Sequence, residues 1–331
     1  MNAAPTPVLL QLLADGLLAP GAALIVADAQ SLDCLAILAA EPALAEFANQ
    51  FACLLAPETV ASLDEPLRAA LIGAGCQLLL PERLVRSDAL VKPVLPADCQ
   101  WLLGDWMLAP PQRPTAAQSA SRTLSLKLLQ MVMTDAETRE LEAVLRQDPA
   151  LSYHLLRLVN SLGMGLTRRI ASFSQAIMIL GRNQLRRWLN LMLFAARADD
   201  YRAPMLLARV VVRARSMELL ARESGLDRSA QDLAFMTGMF SMLGVLFGSP
   251  LSELIQPLQL SDELVNAVIK KQGEIGQMLQ VMEHAESCDL QAVAALLGGL
   301  QLSASQFSAI HLQAHQWMLG ITREPAGEGD D

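Results

Sequence analysis

The chain has 331 residues, more than one compact core usually holds, so two domains are expected. Apolar residues make up 53%, charged residues 18% and aromatics 4%, which excludes a disordered chain and favours helices over sheet. With 25 basic and 34 acidic side chains the net charge is −9, so a nucleic-acid partner is not expected.

Cys34, Cys53, Cys76, Cys99 and Cys288 are odd in number, widely spaced and lack a C-x-x-C pair. They read as reduced core cysteines, with no disulfide and no metal site. Met1 to Pro7 carry no Lys or Arg, so no export signal is read and a cytoplasmic protein is expected. Two uncharged stretches, Leu233–Ser252 and Leu290–Thr322, are interrupted by glycines, a proline or glutamines, and read as buried helices with no membrane partner.

In chain order, Ala22–Ala27, Phe51–Ala56, Cys76–Leu80 and Trp101–Leu103 read as short buried strands. Ser31–Ala40 and Asp64–Ile72 have helical spacing between them, so residues 1–110 form a small α/β domain. Residues 111–122 carry a proline cluster and form a linker. Residues 123–322 read as an all-α bundle, and 323–331 as an acidic disordered tail. Its helices are expected near 124–133, 136–147, 149–162, 173–181, 183–197, 205–224, 229–246, 252–258, 262–271, 274–285, 289–298 and 304–320. Thr134–Glu137, Ser172–Gln175 and Ser303–Gln306 fit the capping box, and Asp148-Pro149 fits a helix start. Charge follows the same division: residues 1–110 carry 4 basic and 12 acidic side chains, 111–211 carry 14 and 7, and 212–331 carry 7 and 15.

Chemistry-bearing residues are few. His311 and His315 stand four apart, so on a helix they share a face, but no catalytic Glu lies between them and no third ligand has a defined spacing. They read as solvated or as satisfied within a core, and a metal role is declined. His154 falls one position off the apolar stripe of Leu151, Leu155, Leu158 and Val159 and reads as a surface residue. Gly163 and Gly165 read as a helix-end turn, and no dinucleotide or Walker loop is present. Arg168, Arg169, Arg182, Arg186 and Arg187, beside Trp188, form the basic segment; the last three arginines have the spacing of a solvated helix face. Fifteen methionines, concentrated from Met192 to Met282, read mainly as core.

From Asp148 onward the chain resembles the HDOD family, helical relatives of HD-type phosphohydrolases found in bacterial signalling proteins. Asp148-Pro149, Leu155-Leu156-Arg157, Asn160-Ser161, Arg169-Ile170, Ser172, Gln175-Ala176, Leu180-Gly181 and Leu185-Arg186-Arg187-Trp188 carry the match. Where an active relative has G-L-L-H-D-I-G, this chain has Gly238-Met-Phe-Ser-Met-Leu-Gly244, so Ser241 and Met242 replace the His-Asp pair. Arg215 stands where the upstream histidine is expected. The N-terminal part resembles a shortened, degenerate EAL domain, the cyclic di-GMP phosphodiesterase fold. Phe51–Val60 is similar to V-V-L-E-I-L-E-T-V, with Leu55 in place of a metal-binding Glu. Gly75–Arg83 is similar to G-Y-x-I-A-L-D-D-F, with Pro81-Glu82 in place of paired aspartates. Gly104–Pro110 resembles the closing Q-G-Y-x-F-x-x-P segment, and Asp88–Lys92 the D-I-V-K strand.

The resemblance implies a barrel remnant followed by an HDOD bundle, with catalytic, cofactor and metal residues all absent. It points to a non-catalytic scaffold that binds regulatory or signalling proteins. His154, Arg168, Arg169, Arg182, Arg186 and Arg187 are the candidate contact surface. The alternative is a sensor that binds a cyclic dinucleotide or another phosphorylated ligand without hydrolysing it.

Overall fold

The structure is a computed structural model. It describes residues 4–111, residues 200–322 except 259, and between them 123–124, 126–128, 130–131, 134, 136–145, 147, 175, 181, 184 and 187–194.

The N-terminal part is built on β1 (Leu9–Ala14), β2 (Pro20–Val26), β3 (Ala52–Leu55), β4 (Gln77–Leu78), β5 (Leu84–Arg86) and β6 (Trp101–Leu103). They form one curled mixed sheet in the order β4-β3-β2-β1-β6-β5. β1 is antiparallel to both neighbours, while β2, β3 and β4 run parallel to one another and β5 runs parallel to β6. The four strands expected from sequence all form, each within two residues of its expected ends, but β4 is only Gln77–Leu78 and both residues are exposed, which corrects the expectation of a buried strand there.

β1 gives no alternating signal because Leu9, Leu10, Leu13 and Ala14 are all buried, so apolar residues are needed on both faces. It meets β2 through a tight turn in which Asp15 Oδ1 accepts from the Leu17 and Ala19 amides at 2.8 and 3.0 Å. The crossovers contain α1 (Leu32–Ala40), α2 (Pro42–Gln50), α3 (Pro57–Ala61) and α4 (Glu65–Gly73). α2 and α3 each start with proline, which needs no amide partner at a first helical position. α4 is capped by Asp64, whose Oδ1 accepts from Leu67 N at 2.9 Å.

The helical part contains α5 (Thr138–Leu145), a buried helical stretch at 187–194, and α6 (Ala203–Glu223). It continues with α7 (Arg228–Phe240), α8 (Leu243–Phe247), α9 (Leu251–Ile255), α10 (Asp262–Lys270), α11 (Gly273–Glu286), α12 (Leu290–Gly299) and α13 (Ala304–Thr322). The helix expected over 229–246 is broken at Ser241-Met242. There Met242 N bonds Met239 O, three residues back, and the Ser241 hydroxyl donates to Gly238 O at 2.6 Å.

The two stretches tested as membrane spans are packed elements. Arg228–Phe247 has the length and hydropathy of a span, but 61% of its most apolar window is buried. α12 and α13 meet at 108°.

Two caps can be compared with expectation. Ser303 and Gln306 form the reciprocal box: Gln306 N donates to Ser303 Oγ at 3.2 Å and Ser303 N to Gln306 Oε1 at 2.9 Å. Thr134 does not open a helix, which corrects the expectation. Its hydroxyl donates back to Gln130 O and Met131 O, and the Glu137 amide is taken by Glu140 instead. The expected cap at Ser172 and the helix start at Asp148-Pro149 lie outside the described residues.

Cys34, Cys53 and Cys76 are buried thiols, as expected, whereas Cys99 and Cys288 are only half-buried. Linker residues 112–122 and the tail 323–331 also lie outside the described residues. Pro111 is described, and it packs against Gly248, the left-handed residue that ends α8.

The sheet and the bundle share their interior. The largest apolar cluster runs from Val8, Leu10 and Ile25 of the sheet through Phe194, Leu206 and Phe240 to Leu312 and Met318. α6 and α7 pack closely, since a Cβ on Gly238 would lie 2.7 Å from Ala214 Cα. Gly238→Ala is therefore expected to force the two helices apart and cost about 1–3 kcal/mol. The check is a lower urea midpoint with an unchanged slope.

Candidate functional site

The charged residues that matter most lie where the sheet meets the bundle. Arg209 and Arg213 stand four apart on α6 and so share one face. Glu286, the last residue of α11, comes between them. Arg213 grips it as a fork, with Nε to Oε1 at 2.7 Å and Nη2 to Oε2, while Arg209 Nε lies 3.6 Å from Oε2. Arg209 also reaches across to the sheet side, placing Nη1 and Nη2 each 3.2 Å from Asp105 Oδ1. The third Arg213 nitrogen, Nη1, donates to Ser241 Oγ at 2.7 Å.

Burial by itself opposes both charges of the inner pair. The mutual attraction wins, however: Arg213 and Arg209 hold the Glu286 carboxyl below its ordinary value, and Glu286 raises Arg213. Cys288 lies beside this network, and burial pushes its thiol up to about 11 against the opposing pull of Arg209 and Arg86.

A second cluster faces the same seam from α13. Ser308, His311 and His315 recur at three and four residues, which puts them on one stripe of the helix. Val8 N donates to Ser308 Oγ at 2.8 Å and Leu10 N to His311 Nδ1 at 3.2 Å. These bonds serve the side of β1 that β2 does not reach, since β6 joins β1 only at Ala14. As an acceptor at Nδ1, His311 carries its ring proton on Nε2. His315 donates from Nδ1 to His311 O at 2.8 Å.

Both rings are buried, so of the two sequence readings the core-satisfied one holds. Burial, and for His311 the neighbouring His315 as well, holds them neutral; His315 is lowered to about 4 and His311 well below its ordinary value. A cavity of about 50 Å³ lies between the clusters, lined among others by Leu10, Gly104, Arg209, Glu286, His311 and His315.

Of the candidate contact residues, His154, Arg168, Arg169, Arg182 and Arg186 lie outside the described residues. Arg187 is described, and it is not on a solvated face, which corrects the expectation. Its guanidinium bonds Glu218 Oε1 at 2.7 Å and Asp232 Oδ1, and its carbon lies 4.5 Å over the Phe235 ring. Arg202, fully buried, is clamped by Asp200 and by Ala109 O. Arg187 is therefore matched by carboxylates 31 and 45 residues away in sequence. Arg215, assigned to the upstream histidine position, turns away from Ser241 towards Glu218 and the Trp317 ring. Arg213, two residues earlier, is the α6 residue that meets Ser241.

The seam does not fit a catalytic metal. Ser241 has its hydroxyl engaged by Arg213 and Gly238 O, Met242 is a buried thioether, and the nearest strong charge on α6 is a guanidinium. Among the described residues, no three His, Cys, Asp or Glu side chains converge as a ligand set.

Comparison with known proteins places residues 121–295 in a match to the HDOD domain family. YuxH, an uncharacterised protein of Bacillus subtilis (strain 168), is 31% identical over 175 residues, covering 52% of this chain and 42% of its own length. The cyclic di-GMP phosphodiesterase CdgJ of Vibrio cholerae is 28% identical over 206 residues, covering 62% of this chain and 47% of its own. The chain thus spans less than half the length of these relatives. A crystal structure from Shewanella amazonensis SB2B, of a protein provisionally named a phosphohydrolase, is 18% identical with a TM-score of 0.42, covering 60% of this chain and 93% of that one.

Glu286→Gln is expected to strand the Arg213 charge and cost about 3–5 kcal/mol, whereas the double replacement Arg213→Met with Glu286→Leu costs much less. Urea unfolding of both variants against the parent chain reads the difference.

Proposed function

The chain belongs to the HDOD family, and from that premise we propose that it is a signalling module that acts by docking a regulatory protein rather than by turning over a substrate. One observation carries the reading. Beside Ser241, where the resemblance puts the metal-binding His-Asp pair, Arg213 is already held by Glu286 in a charge-balanced fork. A divalent cation there would face a fixed positive charge and find a hydroxyl and a thioether for ligands.

The same logic extends to the N-terminal part, which we read as the remnant of an EAL barrel retained to brace the helical domain. Leu55, at the position of an expected metal-binding glutamate, is buried hydrocarbon in β3. Pro81-Glu82, in place of paired aspartates, sits in a 3₁₀ turn with Glu82 exposed. Leu55 has no ligand atom, and at Pro81-Glu82 one exposed carboxylate stands in place of a pair. The relative from Vibrio cholerae, a cyclic di-GMP phosphodiesterase by name, sets the signalling context in which a partner is sought.

Cross-linking and mass spectrometry of the tagged chain in its own cell is the deciding experiment. A reproducible partner cross-linked to the helical domain is the expected result, and recovery of no reproducible partner overturns the docking role. Two further assays separate the rival functions. Phosphate or nucleotide release with added manganese is expected to stay at background. Calorimetry with cyclic di-GMP reads the sensor alternative, and heat at micromolar protein would replace docking by ligand sensing.

A further inference from the structure

A neutral His311 is the acceptor for a buried backbone amide, and that role has a chemical consequence. Protonation at Nδ1 would turn the acceptor into a second donor pointing at the Leu10 N–H, so the bond could not survive. We propose that His311 and His315 form a proton-operated latch between the first strand of the sheet and the C-terminal helix. In this latch, a proton at His311 Nδ1 breaks the Leu10 bond and releases β1 from α13.

The surroundings are suited to this. The His311 and His315 rings meet edge to face with centroids 4.6 Å apart, so two charges could not be held there together. Phe307 stacks on His311 at 5.6 Å and Phe47 of α2 meets His315 at 6.4 Å, giving the rings apolar walls. The charged groups facing the pair across the cavity are Arg209 from α6 and Glu286 from α11. Glu286 is occupied by Arg213 and Arg209, and Asp105 lies beyond Arg209, so no carboxylate stands ready to welcome an imidazolium. The cavity beside the rings gives a released side chain room to turn, and β1 contributes Leu10, Gln11 and Leu12 to its wall.

The direction of the pH effect follows from the neutral state. Both histidines titrate lower when docked than the ordinary value of 6.5, so the latched form is fully favoured above that value. It loses ground as the pH falls from 6.5 towards about 4, where His315 itself takes up a proton in place. Within that window each histidine that gains a proton on opening increases the open fraction about tenfold per pH unit.

Amide exchange of the full chain tests the latch. Protection at Val8 and Leu10 is expected to fall at least tenfold per pH unit from pH 6.5 to 4.5, while amides in the middle of α6 and α7 hold steady. His311→Asn puts a non-titrating carbonyl oxygen near the place of Nδ1 and is expected to remove one factor of ten per unit. Protection at Leu10 that is independent of pH in this window, or a slope unchanged in His311→Asn, overturns the proposal. Should the variant fail to fold, imidazole ¹⁵N spectra of the parent chain decide. A bare Nδ1 on His311 at pH 7 is expected, and a protonated Nδ1 there refutes the latch.

Discussion

A buried amide must have an acceptor, and two amides, of Leu10 in β1 and of Val8 just before it, have theirs outside the sheet. β2 lines one side of the strand along its length, but β6 reaches the other side only at Ala14, leaving the Val8 and Leu10 amides to Ser308 and His311. This requirement ties residues some 300 positions apart in sequence. It makes α13 part of the sheet's hydrogen bonding as well as of the bundle's packing. Gln316, on the same helix, adds a third tie by donating to Ala43 O at 2.9 Å. The N-terminal unit and the bundle are also joined by packing, since the largest apolar cluster takes core residues from both.

Charge obeys a similar economy at the seam. Asp105 from the sheet side, Arg209 and Arg213 from α6, and Glu286 from α11 are two positive and two negative groups in one connected network. Arg213 and Glu286 are tolerated in a largely dry environment because each is beside the other, while Asp105 closes the network at the exposed edge. Arg202, paired with Asp200 and bonded to Ala109 O and Val245 O, serves the same purpose where the N-terminal unit gives way to the helices. Among the described residues of 111–211, Arg187, Arg202 and Arg209 are each answered by acids.

The balance also bears on what the fold can do. A hydrolytic metal needs open coordination and anionic or imidazole ligands. At Ser241 the chain has an arginine fork and an engaged hydroxyl, an arrangement that ties α6 to the break between α7 and α8. The buried histidines are likewise spent on backbone groups, which is structural work with a titratable acceptor.

Much of the architecture was legible from pattern alone. Period-3.6 stripes and caps such as Ser303–Gln306 are local, because a helix satisfies its amides within a few residues. The strands β2, β3 and β6 were legible as short apolar runs between turn residues, and the substitutions Ser241 and Met242 could be read directly from their place in a motif. Other features depend on what comes together from far away. β1 is apolar on both faces and gives no alternation. The shared face of His311 and His315 was visible, but their partner Leu10 lies about 300 residues earlier. Arg187 looked solvated because Glu218, Asp232 and Phe235 meet it only after folding. Local hydrogen bonding and apolar periodicity are therefore written along this chain, whereas the pairing of buried charges and of orphaned strand amides is decided only when distant segments are packed into a medium where no water can take their place.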